Sequence, residues 1–174
     1  MVFVPCSGAV LSSVGRDGAC GSRPASVRVA AGGDLERALW ALRAYDTTAL
    51  ATVSERGPHV AGVFFAPEID GDRIRLLAAV IDGSRKAADI DGDPRVAFVC
   101  SPGNPSRWIQ GSGSAHRPEL DDAGRLEMFR RLVAHAPGAR QFVDRLPVHP
   151  VIIEVRDLKV VEAIGNPPLR LHFG

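Results

Sequence analysis

Lysine is nearly absent from this sequence of 174 residues, and its scarcity bears on the possible partners. Of the 21 basic residues, only Lys86 and Lys159 are lysines, and the others are arginines. The acidic residues number 20, so the formal net charge is only +1. Binding to nucleic acid normally needs a basic patch, and this charge balance predicts none. A lysine at a given position is also less readily explained as a random choice of basic residue.

Cysteines, metal-binding spacings and long apolar runs are also scarce. Cys6, Cys20 and Cys100 are too scattered for a metal site or a disulfide framework. The five histidines show no spacing such as H-x-x-x-H, so we expect no metal site. No apolar run approaches the roughly 20 residues of a membrane helix. The first 14 residues lack the basic start of a secretion signal. We therefore expect a cytoplasmic protein that binds neither nucleic acid nor membrane.

The length suits one domain with a sizeable core. Residues 1–33 are rich in Gly, Ser, Ala and Val and show neither a helical nor a strand period. We interpret them as a flexible N-terminal tail. The domain then spans residues 34–174.

Most of that domain consists of short β-forming runs joined by hairpin turns. Helices are predicted to begin at Asp34, whose side chain would cap the first one, and to cover residues 119–135 and 139–146. The pattern predicts a mainly β fold, a small β-barrel with helices at its margins, because closure removes exposed strand edges. The predicted strands are residues 47–54, 59–66, 73–81, 95–101, 107–116, 148–155 and 159–163.

The segment from Gly83 to Val96 is the most informative part of the chain. It predicts a basic turn and one short helix between two strands, with Ser84 as the N-cap. Arg85 and Lys86 lie beside that helix start, where backbone donors, the positive dipole end and two cations would meet. Such a place suits a terminal phosphate, although a solvated helix start is an equally good interpretation of these residues alone.

The strand from residue 107 to residue 116 contains an unusual glycine-rich centre, Gln110 to Gly113. Glycines inside a strand usually mark a bulge or a close approach to the backbone. No helix opens after them, so they are not a dinucleotide-binding fingerprint.

Little in the sequence looks like acid–base machinery. Ser84, Ser112 and Ser114 lack the setting of an activated nucleophile, and no partner base is evident. A barrel with a phosphate-suited turn, a glycine-rich strand and few acid–base groups would hold a phosphorylated cofactor, and the cofactor would carry out the chemistry.

Several motifs resemble those of the pyridoxamine 5′-phosphate oxidase-like family of FMN-binding split barrels. The resemblance covers roughly residues 35–117, and a weaker similarity to the Arg-Leu-His element of the true oxidases lies at residues 169–172. The motifs that carry it are Ala51-Thr52-Val53, Gly57-Pro58, Gly83-Ser84-Arg85-Lys86-Ala87, Ile90, Pro94-Arg95-Val96, Arg107 and Gly113-x-Ala115.

The resemblance implies a six-stranded split barrel that forms a homodimer with two FMN molecules at its interface. Arg85 and Lys86 match the pair that binds the phosphate, and Ser84 lies beside them. Gln110 is the candidate flavin contact on the fifth strand, since it shares a face with Trp108, where the family glutamine would align. The segments matching the lining of the ribityl chain and the ring are Ala61, Gly62, Val63 and Phe64 on one strand, and Leu77 and Ala78 on the next.

Two departures weigh against pyridoxamine-phosphate oxidation itself. Ala61 and Ala66 stand where the true oxidases carry basic residues, and their tryptophan before the Arg-Leu-His element is missing. The resemblance therefore favours an FMN-dependent oxidoreductase acting on another small organic substrate. A deazaflavin-dependent reductase on the same barrel and a non-catalytic flavin-binding module are the alternatives. Some relatives bind haem, but no clear axial ligand is seen here.

Overall fold

A computed structural model describes residues 32–101, 103 and 106–174. The predicted tail lies outside the described residues, except for Gly32 and Gly33, which open the first helix. The predicted loop at residues 102–105 is described only at Gly103. The elements are α1 (Gly32–Leu42), β1 (Thr47–Ser54), β2 (Gly57–Asp70), β3 (Arg73–Ile81), α2 (Arg85–Gly92), β4 (Arg95–Cys100), β5 (Trp108–His116), α3 (Asp122–His135), a 3-10 turn (Pro137–Ala139), α4 (Arg140–Arg145), β6 (Val148–Val161) and β7 (Leu169–His172).

Six antiparallel strands form a closed barrel, as the sequence predicts. Their order is β3-β2-β1-β4-β5-β6, and β3 also pairs with β6 to close the ring. β7 adds to the free stretch of β6 as a seventh strand. Closure gives every barrel strand two neighbours. Among the described residues, the stretch 57–64 of β2 nevertheless pairs with β1 alone, because the pairing of β2 with β3 begins at Phe65. The mainly β fold with marginal helices is therefore confirmed.

The alternation of side chains along each strand fills the barrel interior. On β2, Val63 and Phe65 point inward, whereas Phe64 and Ala66 pack against the helices outside. Helix α1 contributes the apolar stripe that its period predicts, including Leu35 and Leu42, to the interior core. Cys100 is fully buried in that core, and burial raises the pKa of its thiol to about 11.

Helix α3 packs on the outer face of β2 and β3. Met128 and Leu132 meet Ala66 and Leu77 there in a second, smaller apolar cluster. No helix in the described part of the chain is long and apolar enough to span a membrane.

Strand β2 is longer than predicted at both ends, since it runs over Gly57–Asp70 rather than residues 59–66. Three other predicted boundaries are wrong for local reasons. Helix α1 begins before Asp34, which therefore lies in its first turn rather than at its N-cap. Helix α3 begins later than predicted, because the carboxylate of Asp121 accepts from the backbone N–H of Gly124 and caps it. The two closing strands are one continuous strand, β6, across the polar residues Arg156 and Asp157.

A bulge explains why β6 remains continuous there. Ser112 pairs with Asp157 and Gly113 with Val155, so Arg156 is an extra residue without a partner on β5. An ideal Cβ on Gly113 would lie 1.9 Å from the carbonyl oxygen of Glu154. Real side chains do not approach a backbone atom so closely, so this position requires glycine. The close approach predicted for the glycine-rich strand is confirmed.

We therefore expect Gly113→Ala to destabilise the barrel strongly. Its methyl group would meet backbone atoms of β6, which cannot move without breaking the ladder, so the loss should reach at least about 1–3 kcal/mol. Gly92→Ala is the matched control, because nothing lies within 4 Å of its ideal Cβ. Urea unfolding measures both variants. Equal stability of the two variants would contradict the steric role of Gly113.

Candidate functional site

The short helix α2 starts as the sequence predicts. Gly83 turns the chain with a positive φ of 68°, and Ser84 follows as the N-cap. The Ser84 hydroxyl oxygen accepts from the backbone N–H of Ala87 at 3.3 Å. The remaining first-turn amides and the positive end of the helix dipole lie beside Arg85 and Lys86.

Lys86 faces a cavity of about 280 Å³ on the outside of the barrel. The cavity lies between strands β2 and β3 on one side and the helical segment from α3 to α4 on the other. Apart from Lys86 and Thr47, every lining residue is apolar. The others are Gly62, Val63, Phe64, Ala79, Ile81, Leu132, Ala139, Phe142, Val143 and Val148.

The ammonium group of Lys86 is poorly compensated in this setting. Burial lowers the pKa of Lys86 below its ordinary value. None of the ion pairs or hydrogen bonds among the described residues involves its side chain. A half-buried cation without an anionic partner is costly, so the cavity favours a ligand that brings a negative charge.

The predicted β2 segment divides between two faces. Gly62 and Phe64 lie on the outward face and line the cavity. Val63 also borders the cavity although its side chain belongs to the interior core, and Ala61 does not line it. On β3, Leu77 is buried beneath α3 and Ala78 is also fully buried. Their side chains thus do not line the cavity.

The β3 residues that do line the cavity, Ala79 and Ile81, were not predicted. They share the outward face of Leu77, because side chains alternate along a strand. Counting every second residue from Leu77 along β3 towards the basic turn would have identified both residues from the sequence.

The helical wall was also missed. Its main members are Leu132, Ala139, Phe142 and Val143. The rings of Phe64 and Phe142 lie 5.4 Å apart between centroids, at an interplanar angle of 57°. This aromatic pair joins the strand wall to α4, and Gly138 leaves room for the Phe64 ring.

Arg85 is not among the residues that line the cavity that Lys86 faces. Its Nη2 donates to the carbonyl oxygen of Gly57, the first residue of β2, at 2.9 Å. Its Nε lies 3.6 Å from Oδ2 of Asp89, one turn along α2. Consecutive helical residues are about 100° apart around the axis, which accounts for the divergence.

Gln110 lies in a different cleft, of about 380 Å³, on the outer face of β5 and β6. Its Oε1 accepts from the indole N–H of Trp108 at 3.1 Å. Asp157 lies in the same cleft, 2.7 Å from the ring of His172, and that hydrogen bond lowers the pKa of the Asp157 carboxyl. Arg170 also lines this cleft, so the Arg-Leu-His element lies with Gln110 and not with Lys86.

A row of paired residues connects the two clefts. Gly62 pairs with Ala49, Ala49 with Val99, and Val99 with Gln110. The row crosses three strand spacings, roughly 14 Å along the sheet. Neighbouring outward positions, including Val60 and Ala97, are exposed.

No protein-family model matches the sequence, and no curated protein matches it either. Solved structures do. A heme-binding protein from Mycobacterium smegmatis superposes with a TM-score of 0.63 at 18% identity, covering 83% of this chain and 60% of that one. A protein of the pyridoxinephosphate oxidase family from Clostridium acetobutylicum, related to general stress protein 26, gives 0.61 at 9%, covering 81% and 95%. An FAD-binding protein from Mesorhizobium loti gives 0.54 at 14%, covering 75% and 94%.

The environment of Lys86 is open to direct measurement, because the chain has only two lysines. After reductive ¹³C-methylation, we expect one lysine signal to titrate below the ordinary pKa of about 10.4. That signal should be missing in Lys86→Arg. A Lys86 signal that titrates at the ordinary value would contradict its burial in an apolar cavity.

Proposed function

Since the chain has the split-barrel fold of the pyridoxamine 5′-phosphate oxidase-like proteins, we propose that it is an FMN-dependent oxidoreductase. The observation that carries the proposal is Lys86, a cation without an anionic partner among the described residues, which lies at the start of α2 beside a largely apolar cavity. FMN combines a phosphate with a largely apolar planar ring, and the cavity supplies a counterpart for each.

The start of α2 is suited to the phosphate. Its backbone amides can donate to phosphate oxygens, and its dipole adds to the charge of Lys86. Arg85, the other member of the predicted phosphate-binding pair, is the first residue of the same helix. The lowered pKa of Lys86 should rise when an anion binds, because a nearby negative charge favours the ammonium form.

The walls of the cavity suit the ring. Phe64 and Phe142 offer aromatic surfaces, and the β2 backbone at Gly62 has no side chain to keep a ligand away. Leu132 and Val143 exclude water from the same space. Bound flavin would supply the hydride transfer itself, and these residues would bind and orient it.

Haem is a weaker candidate for this cavity, although one structural neighbour is a heme-binding protein. Haem iron needs an axial ligand, usually His, Cys, Met or Tyr. Among the described residues that line the cavity, none is of these types. An apolar cavity with one cation fits a flavin phosphate better.

A homodimer would complete the site. The cavity of one chain, about 280 Å³, is slightly smaller than the roughly 300–1,000 Å³ of small-molecule sites. Gln110 lies in a separate cleft, so it would reach a flavin at Lys86 most directly from a second subunit. The outward face formed by Ala49, Ala51, Val60, Ala97 and Val99 is apolar. Val60 and Val99 are 61% and 39% exposed, so no helix of the described part of the chain covers them. A second copy packed on this face would bring the two clefts together.

The substrate would be a small organic molecule that enters beside the flavin.

The phosphate assignment predicts a ligand-specific effect of Lys86→Met. Loss of one charge-assisted contact, worth about 1.5–3 kcal/mol, should weaken FMN binding by roughly 10- to 150-fold. Riboflavin, which lacks the phosphate, should bind wild type and variant within about twofold of each other. Fluorescence titration with both flavins measures the contrast.

The charge-retaining variant Lys86→Arg is the matched control and should keep most of the preference for FMN. Equal losses for the two flavins in Lys86→Met would indicate general damage to the cavity. Unchanged FMN affinity would refute the role of Lys86.

The homodimer predicts that Val60→Asp separates the subunits. A charge buried without a partner at the interface should weaken the dimer by at least about 30-fold, seen by light scattering at micromolar concentration. Ile164→Asp, at a position 75% exposed between β6 and β7, should leave the dimer intact. A wild-type monomer that binds FMN stoichiometrically would refute the interface.

A further inference from the structure

Asp89 is a buried carboxylate behind the helix start. Its side chain is only 1% exposed. It lies on the inner face of α2, with Ala87 and Ile90. An apolar residue would fill this place without the cost of burying a charge. The carboxylate therefore calls for an explanation beyond packing.

Two kinds of neighbour surround this carboxylate. Burial alone would raise the pKa of Asp89, but the hydroxyl of Thr52 and the charge of Arg85 lower it below its ordinary value. Thr52 donates its hydroxyl hydrogen to Oδ2 at 2.8 Å. His59 Nδ1 lies 3.7 Å from the same oxygen. Asp89 is thus a charged group that faces basic side chains.

The polar contacts around Asp89 are incomplete. Asp89 Oδ1, Arg85 Nε and His59 Nδ1 are all buried and lack a hydrogen-bond partner in the described part of the chain. In a well-packed barrel, buried polar atoms are nearly always paired. Three unpaired atoms in one place indicate an arrangement that serves something other than folding stability.

Arg85 is held on two sides by this arrangement. Its Nε edge faces Asp89 at 3.6 Å, and its Nη2 donates to the Gly57 carbonyl at 2.9 Å. A guanidinium held in this way loses less conformational entropy when an anion binds than a free one. Lys86, the next residue, carries the other cation.

We infer that Asp89 is a positioning residue, which fixes Arg85 at the start of α2 for an anionic group bound beside Lys86. The inference rests on the proposed function, since the anionic group is the phosphate of FMN. Asp89 does not touch the ligand. It acts through Arg85, and its effect should therefore be confined to ligands that carry the phosphate.

The test is Asp89→Asn, which keeps the shape and an acceptor for Thr52 but removes the charge. Titration of the full-length protein should show FMN affinity reduced by roughly 2- to 12-fold, the equivalent of ordering one long side chain. Riboflavin affinity should not change. Asp91→Asn is the matched control, since Asp91 lies on the same helix but is exposed and pairs with Arg117 at 2.8 Å.

Arg85→Met provides a second route if Asp89→Asn folds poorly, because Arg85 is half-exposed. It should also weaken FMN and spare riboflavin, and Asp89→Asn should add nothing in the Arg85→Met background. If wild type prefers FMN and Asp89→Asn keeps that preference, the role of Asp89 is refuted while the proposed function stands. The same holds if the effects of Asp89→Asn and Arg85→Met on FMN affinity are additive. If wild type does not distinguish FMN from riboflavin, the proposed function fails, and this inference fails with it.

Discussion

Pairing of β3 with β6 closes the barrel, and the site depends on that closure. Ile81, the last residue of β3, pairs with Val148, the first residue of β6, and both line the cavity. The backbone N–H of Asp82 extends the ladder by donating to the Pro147 carbonyl at 2.8 Å. The chain then turns at Gly83 into α2. The closing pair therefore fixes the floor of the cavity, the direction of α2 and the position of Lys86 together.

Helix α2 carries two charged side chains in poorly solvated surroundings, one on each side of the helix. Its outer side presents Lys86 to an apolar cavity, and its inner side buries Asp89. Both arrangements cost free energy in the absence of a ligand, whereas the strands around them are regular and well packed. Local departures from good packing and pairing are expected at functional sites, where binding compensates for them.

The sequence predicts those features that rest on local chemistry. The run of short strands predicted the barrel, and Ser84 predicted the start of helix α2. The glycines of β5 predicted the close approach of β6. It fails where a residue fits two environments. The polar residues Arg156 and Asp157 predict a break between two strands. The strand β6 nevertheless continues through them, because Arg156 is accommodated as an unpaired residue in a bulge. Leu132 and Val143 have the helical period of core residues, and only the packing of α3 and α4 shows that they also line a cavity. Helical geometry explains why the side chains of Arg85 and Lys86 take different directions. That Arg85 faces a buried carboxylate, Asp89, becomes visible only in the structure.

The outward row from Gly62 to Gln110 would limit how the proposed flavin and the proposed second subunit can approach. Ala49 in this row is small, Val99 is only moderately large, and Gly62 has no side chain at all. Inward positions on the same strands carry large residues such as Leu50 and Phe98, since the interior must be filled. Small outward residues leave the backbone accessible and the surface flat, which stable burial against a planar ring or another sheet requires. Larger side chains at positions 49 or 62 would hold either one away from the barrel. The size pattern along these strands therefore fills the interior on one face and, under the proposed function, would serve recognition on the other.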